Sequence, residues 1–213
     1  MKKQILVGFI LIGLLYLSYQ YYVDYNKKKI YKTELINNLA NRYRDIELNE
    51  SKASTETIKK LSNIVPPVFL HTQNDSIAIY AKLLNSFSKN LSNNTHYPNL
   101  YENNELWESA KLSGILTEFD KSELDAMIKA YANEKKLNQI KKEIQMLTYS
   151  NFYDLEETIP DPNEVQNAYA KYHDLLLKEQ NILVDFSLAC KAAITLLDKE
   201  NAIVKEIDSL KNK

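Results

Sequence analysis

The side chains able to do acid–base, nucleophilic or metal chemistry are few in this chain and stand far apart. Three histidines, His71, His96 and His173, are its groups with an ordinary pKa near neutrality. A histidine acts as a ligand or general base when a second ligand or an orienting carboxylate stands within reach. His71 follows the Pro66-Pro67 pair, His96 lies in the polar stretch NNTHYPN, and His173 precedes Asp174. None is spaced for such a pairing, and all three are expected to be ordinary surface or hydrogen-bonded residues. Cys190 is the only cysteine, so it makes no internal disulfide. Leu183, Phe186, Ala193 and Leu197 share its helical face, which predicts a buried, inert thiol rather than a redox or catalytic one.

The acidic run DLEETIPDPNE places Asp154, Glu156, Glu157, Asp161 and Glu164 together with no base among them. Clustered oxygens are what a hard cation such as calcium requires. The spacing does not follow an EF-hand loop, and Asp161 and Glu164 already have the spacing of a helix start. A solvated acidic loop is the expectation. The run EKKLNQIKKEIQ is rich in lysine, but interleaved acids make it a solvated helix face. There is no HExxH, CxxC, G-x-S-x-G or phosphate-binding loop. These absences predict no cofactor, no metal site, no catalytic residue and no enzyme. An enzyme would need a site assembled from scattered groups such as His71, Trp107 and His173.

The single tryptophan, Trp107, and the last of three glycines, Gly114, fall in the stretch LWESAKLSGIL. Gly114 stands where a short helix from about Asn104 needs a residue in the left-handed conformation, with Ile115 folding back on Ala110 in a Schellman stop. Asp120 and Glu123 then form a capping box, and Phe119 and Leu124 a hydrophobic staple. Stop and start signals in this order predict a helix–helix corner, with Trp107 plugging the core beside it.

Three glycines and five prolines in 213 residues are too few for barrels, sandwiches or doubly wound sheets, which need many tight turns. The fold class expected is therefore all-α. A formal charge of −1, from 27 basic and 28 acidic side chains, leaves no electrostatic footprint for nucleic acid.

The chain divides into an N-terminal membrane anchor, 1–26, and a helical domain, 27–213. Residues 5–23 carry no charge, and about 20 apolar residues suffice to span a bilayer as a helix. Tyr16, Tyr19, Tyr21, Tyr22 and Tyr25 crowd the far end as an interfacial belt would. Tyrosines and a glutamine stand where a signal peptide would need small residues for cleavage, which favours an uncleaved, single-pass anchor. Gly8 and Gly13 do not form a GxxxG face. Lys27, Lys28, Lys29 and Lys32 after the span argue for a cytoplasmic domain, whereas the export-signal character of the segment argues for the outside.

After the anchor, Ile30, Leu35, Leu39, Tyr43 and Ile46 keep helical spacing, and the helix could run straight out of the membrane until Pro66-Pro67. A second helix is expected from Asn74 or Asp75, with Ile77, Tyr80, Leu84 and Phe87 on one side. A third is expected from about Lys121 to Tyr149, with Leu124, Ile128, Tyr131, Leu137, Ile140, Ile144 and Leu147 as its apolar set. Asp161, Pro162 and Glu164 open the last helix. From there steps of seven from Ala168 and from Tyr169 stay apolar to Leu210 and Val204, while a third row is interrupted by Glu179 and Glu200. Unbroken, that helix would be about 70 Å long at about 1.5 Å per residue. An elongated, mostly antiparallel helical bundle standing on the membrane is expected.

The order LWESAKLSGILTEFDKSELDAMIKAYANEKKLN, preceded by an anchor and TELINNL, resembles uncharacterised bacterial single-span membrane-anchored helical proteins. Trp107, Ser113, Gly114, Leu124, Ile128 and Tyr131 carry the resemblance over about a third of the chain. It implies a single-pass inner-membrane protein with its bulk outside the cytoplasm, and no catalytic residue. The expected function is a membrane-tethered, non-enzymatic domain acting as partner-binding scaffold or accessory/sensor subunit. The alternatives are an effector that works by oligomerising, with Glu179 and Glu200 setting register, and an enzyme with a non-motif site. The expected partners are the bilayer, through residues 5–23, and a protein partner or a second copy of the chain.

Overall fold

The structure, a computed structural model, describes residues 2–64, 105–153, 162–198 and 202–211, with side-chain surroundings for 13–62, 105–147, 167, 169–198 and 202–210. The expected helix from Asn74 or Asp75, His71, His96, Asp154, Glu156, Glu157, Asp161 and Glu200 lie outside the described residues. So do the surroundings of Glu164. Helix α1 is Lys2–Asp45, continued by a π-helical turn at Ile46–Glu50 into α2, Ser51–Ile64. Helix α3, Glu105–Leu112, leads through a 3-10 turn at Ile115–Glu118 to α4, Lys121–Tyr153. Helices α5, Pro162–Leu197, and α6, Ala202–Lys211, complete the order, and there is no strand among the described residues.

Helix α5 is the centre of the packing, in contact with α4, α1, α2 and α6. Its partners fix the directions. Thr55 meets Gln180 and Glu47 meets Ser187, so α1–α2 and α5 run in opposite senses. Lys32 meets Glu123, Asn38 meets Tyr131 and Glu50 meets Lys141, so α1 and α4 run in the same sense. Leu35, Leu39, Tyr43 and Ile46 bury against Met127, Phe186, Ile194 and Ile207 in the larger core cluster. A smaller cluster, Leu61, Ile144, Tyr172, Leu175 and Leu176, closes the other end. Burying a side chain the size of Phe186 contributes roughly 2–3 kcal/mol.

The tertiary contacts revise several expectations. The last helix is not one rod: it ends at Leu197, and α6 turns back along it. Lys191 and Asp208 meet at 2.7 Å, whereas a continuous helix would hold them roughly 25 Å apart. No glycine or proline marks this break, only the polar run Asp198-Lys199-Glu200-Asn201. Within α5 and α6 the row from Tyr169 and the row through Phe186 and Ile207 face the core, while the row from Ala168 is mixed: Leu175 and Ala189 are buried, Leu196 and Leu210 exposed. Helix α4 runs on to Tyr153, and Met127 takes the core position expected of Ile128, which is exposed. On α1, Ile30 faces solvent and Tyr31 packs on the core instead.

Among the described residues, the stretch long and apolar enough to cross a membrane is Tyr169–Leu197; the side chains of 5–12, the first part of the expected anchor 5–23, lie outside the described residues. Packing accounts for part of the apolar character of Tyr169–Leu197, while Leu177, Val184 and Leu188 are exposed. Its apolar rows face α1, α2 and α4, and 44% of its most apolar stretch is buried inside the protein.

The corner at Gly114 and a polar seam as candidate functional site

The corner is built as its sequence predicts. Gly114 has φ +72°, the left-handed conformation, and its N–H donates to Lys111 O at 3.3 Å. Ser113 modifies the stop: its hydroxyl donates to Ala110 O at 2.9 Å and accepts from Ile115 N–H at 3.4 Å. The side chain thus connects the two groups that a Schellman turn would pair directly. The Asp120 N–H donates to Glu123 Oε2 at 3.1 Å, one arm of the capping box. Phe119 is buried and Leu124 packs on the same cluster. Trp107 is buried and stacks on Tyr131, with ring centroids 4.6 Å apart and planes 17° apart. It is a core residue.

Glu123 carries a second duty. Its Oε1 accepts from Lys32 Nζ at 2.8 Å. Burial pushes its carboxyl up, but the Lys32 hydrogen bond, the Asp120 N–H and the charges of Lys32 and Lys28 together hold it below the usual carboxylate range. Lys28 in turn donates to the Glu118 carbonyl and lies 5.8 Å from the Phe119 ring centroid.

The largest polar arrangement is a seam between α1 and its neighbours. Tyr131 Oη and Arg42 Nε both donate to Asn38 Oδ1, at 3.2 and 3.1 Å. Arg42 Nη1 meets Glu134 Oε1 at 2.7 Å, and Glu134 is 0% exposed. The π-helical turn directs Glu47 to the Ser187 hydroxyl and Glu50 to Lys141, whose Nζ lies 2.9 Å from Glu50 Oε2. Tyr43 donates to Asp208 Oδ1 at 2.8 Å. Burial first, then that carboxylate, pushes the Tyr43 hydroxyl far up, and burial with the charge of Glu134 does the same to Tyr131.

Chemically, the seam fixes register; its charges are committed to one another. Cys190 is buried, and burial with the charge of Glu134 pushes its thiol far up, which removes the thiolate a nucleophile needs. A shallow hollow of about 330 Å³ opens beside the seam, lined by Asn38, Asn41, Arg42 and Asp45 of one helix. Among the described residues no group of three or more His, Cys, Asp and Glu gathers to hold a metal.

His173 stacks on Tyr169, centroids 5.9 Å apart, and Tyr169 packs against the smaller cluster, whereas Trp107 belongs to the larger one. The structure therefore does not bring these two candidate residues together. Glu179, which interrupts the third apolar row, is buried on α5. The seam carried only faint sequence signals, namely Arg42, Glu134 and Lys141 at helix positions that turn toward neighbours. Comparison of the chain with family models, with curated proteins and with solved structures returned no match.

Proposed function

We propose that the chain is a membrane-tethered, non-enzymatic helical domain that acts as a partner-binding scaffold or accessory/sensor subunit, held by residues 5–23. One observation carries this reading. Helix α1 is continuous from Lys2 to Asp45, exposes Leu14, Leu15, Tyr16 and Leu17, and enters the core from Leu35 onward. An exposed apolar run on a helix that then buries itself needs a cover, and a bilayer supplies one of the right thickness. The tyrosines at 19, 21, 22 and 25 are also exposed, as an interfacial belt requires. With no break between anchor and core, the domain stands rigidly on its span as an elongated bundle, and its bulk lies outside the cytoplasm.

Alkaline extraction of membranes tests the tether. The full chain stays with the bilayer, and a chain lacking residues 2–26 is released; release of the full chain refutes the reading. Reporters fused after Lys213, one active only outside the cytoplasm and one only inside, decide the orientation.

The effector that works by oligomerising is favoured by Leu177, Val184 and Leu188, all exposed along one stripe of α5. Their spacing is that of a helix–helix seam with a second copy. On this reading Leu188→Glu abolishes a concentration-dependent increase in sedimentation of the full chain in detergent. A wild-type chain that remains monomeric at every concentration excludes it.

A further inference from the structure

We propose that the α3–α4 corner rests on the bilayer surface beside the anchor, with Leu112 inserted among the lipid head groups. The inference rests on the anchor reading above and extends it to a second, separate membrane contact.

The contacts of α1 place the corner. Helix α3 descends along α1 toward its N-terminal end: Trp107 stacks on Tyr131, which is bonded to Asn38, and Ser109 Oγ lies 3.1 Å from Tyr31 Oη. Leu112 lies almost one further turn down. After the corner, the Glu118 carbonyl and the Phe119 ring are level with Lys28. Helix α4 then climbs away, meeting Lys32 at Glu123 and Arg42 at Glu134. The end of α5 lies higher: Lys191 is level with Tyr43 through Asp208, and Leu197, six residues on, comes down by about 9 Å, to the level of Asn37. Among the described elements packed on α1, the corner is therefore the one nearest the anchor.

Lys28 follows the end of the uncharged run at Val23 by about 8 Å, at about 1.5 Å per residue. The head-group layer on each side of a bilayer is roughly 5–8 Å deep, so the corner meets its outer part. The side chains there are sorted for such a contact. Ile115 and Phe119 turn inward and are buried, whereas Leu112 at the end of α3 is 89% exposed. Acids and lysines around it nearly balance, with Glu108, Glu118 and Asp120 set against Lys27, Lys28, Lys111 and Lys121. The contact is therefore apolar in origin, and a neutral lipid surface is sufficient for it.

The experiment uses the full chain in vesicles of zwitterionic lipid, some molecules of which carry a spin-label quencher near the head group and others deep in the acyl chain. Single added thiols are labelled with a fluorophore in Leu112→Cys, Leu14→Cys and Lys59→Cys; the native Cys190 is buried and does not react. The expected result is severalfold stronger quenching of the 112 label by the shallow quencher than of the 59 label, unchanged by salt. The 14 label is quenched by the deep quencher. A 112 label as open to an aqueous quencher as the 59 label, with the 14 label still quenched by lipid, overturns the corner contact and leaves the anchor standing. If neither the 14 nor the 112 label meets lipid, the anchor reading itself has failed.

Discussion

Arg42 and Glu134 are the residues on which this core is most exposed to a single change. Their 2.7 Å pair is buried on both sides, and Asn38 takes a second hydrogen bond from the guanidinium. Removing one partner of such a pair strands the other charge in an apolar interior, at about 3–5 kcal/mol. Glu134→Leu should therefore lower the thermal midpoint sharply, and Arg42→Met combined with it should recover most of the loss. Melts of the two variants in detergent measure this; equal midpoints would show that the charge of Arg42 is not stranded. Glu123 makes the stability of the fold depend on pH. Its carboxyl is held below the ordinary value of 4.5, so its contribution is complete above that value and is lost as pH falls through the lowered one. Glu123→Gln should destabilise the protein at neutral pH, and the difference from wild type should shrink as the pH falls below the ordinary carboxylate value and through the lowered one.

At the scale of elements, the corner between α3 and α4 is local grammar made into structure. A Cβ at Gly114 would meet nothing within 4 Å, so the cost of Gly114→Ala lies in the left-handed backbone alone. That cost is about 1–2 kcal/mol, and equilibrium unfolding in denaturant should show it as a lowered midpoint with unchanged slope. The chain reversal before α6 has no such grammar. Neither glycine nor proline stands there, and the seven-residue rows continue through it, so periodicity favoured a single rod. Burial of Val204 and Ile207 in the larger cluster, with Asp208 between Tyr43 and Lys191, favours the reversal instead. The π-helical turn at Ile46–Glu50 belongs to the same class. An extra residue in one turn shifts which side chains face inward, and it lets Glu47 and Glu50 both reach partner helices.

For the whole molecule, the two core clusters divide the structure by distance from the N-terminal end of α1. The larger one surrounds α1 from Leu35 to Ile46, while the smaller one closes α2, α4 and α5 at the far end. A region with fewer buried apolar contacts opens at lower free energy. Amide exchange in the full chain should therefore be faster in Ser51–Ile64 than in Leu183–Ile194, with the slowest amides around Phe186. Uniform protection along α5 would show that the two clusters open as one. What the sequence determined by itself was whatever local rules control: the all-helical class, the left-handed stop at Gly114, the capping box at Glu123, the proline that opens α5, and the buried state of Trp107 and Cys190. Each follows from backbone sterics or from the spacing of apolar residues within one helix. Tertiary structure alone decided the break after Leu197, the replacement of Ile128 by Met127 in the core, and the seam from Asn38 to Glu134. These depend on which helix lies opposite, and a charged residue on a helix face looks alike in sequence whether it meets water or a buried partner.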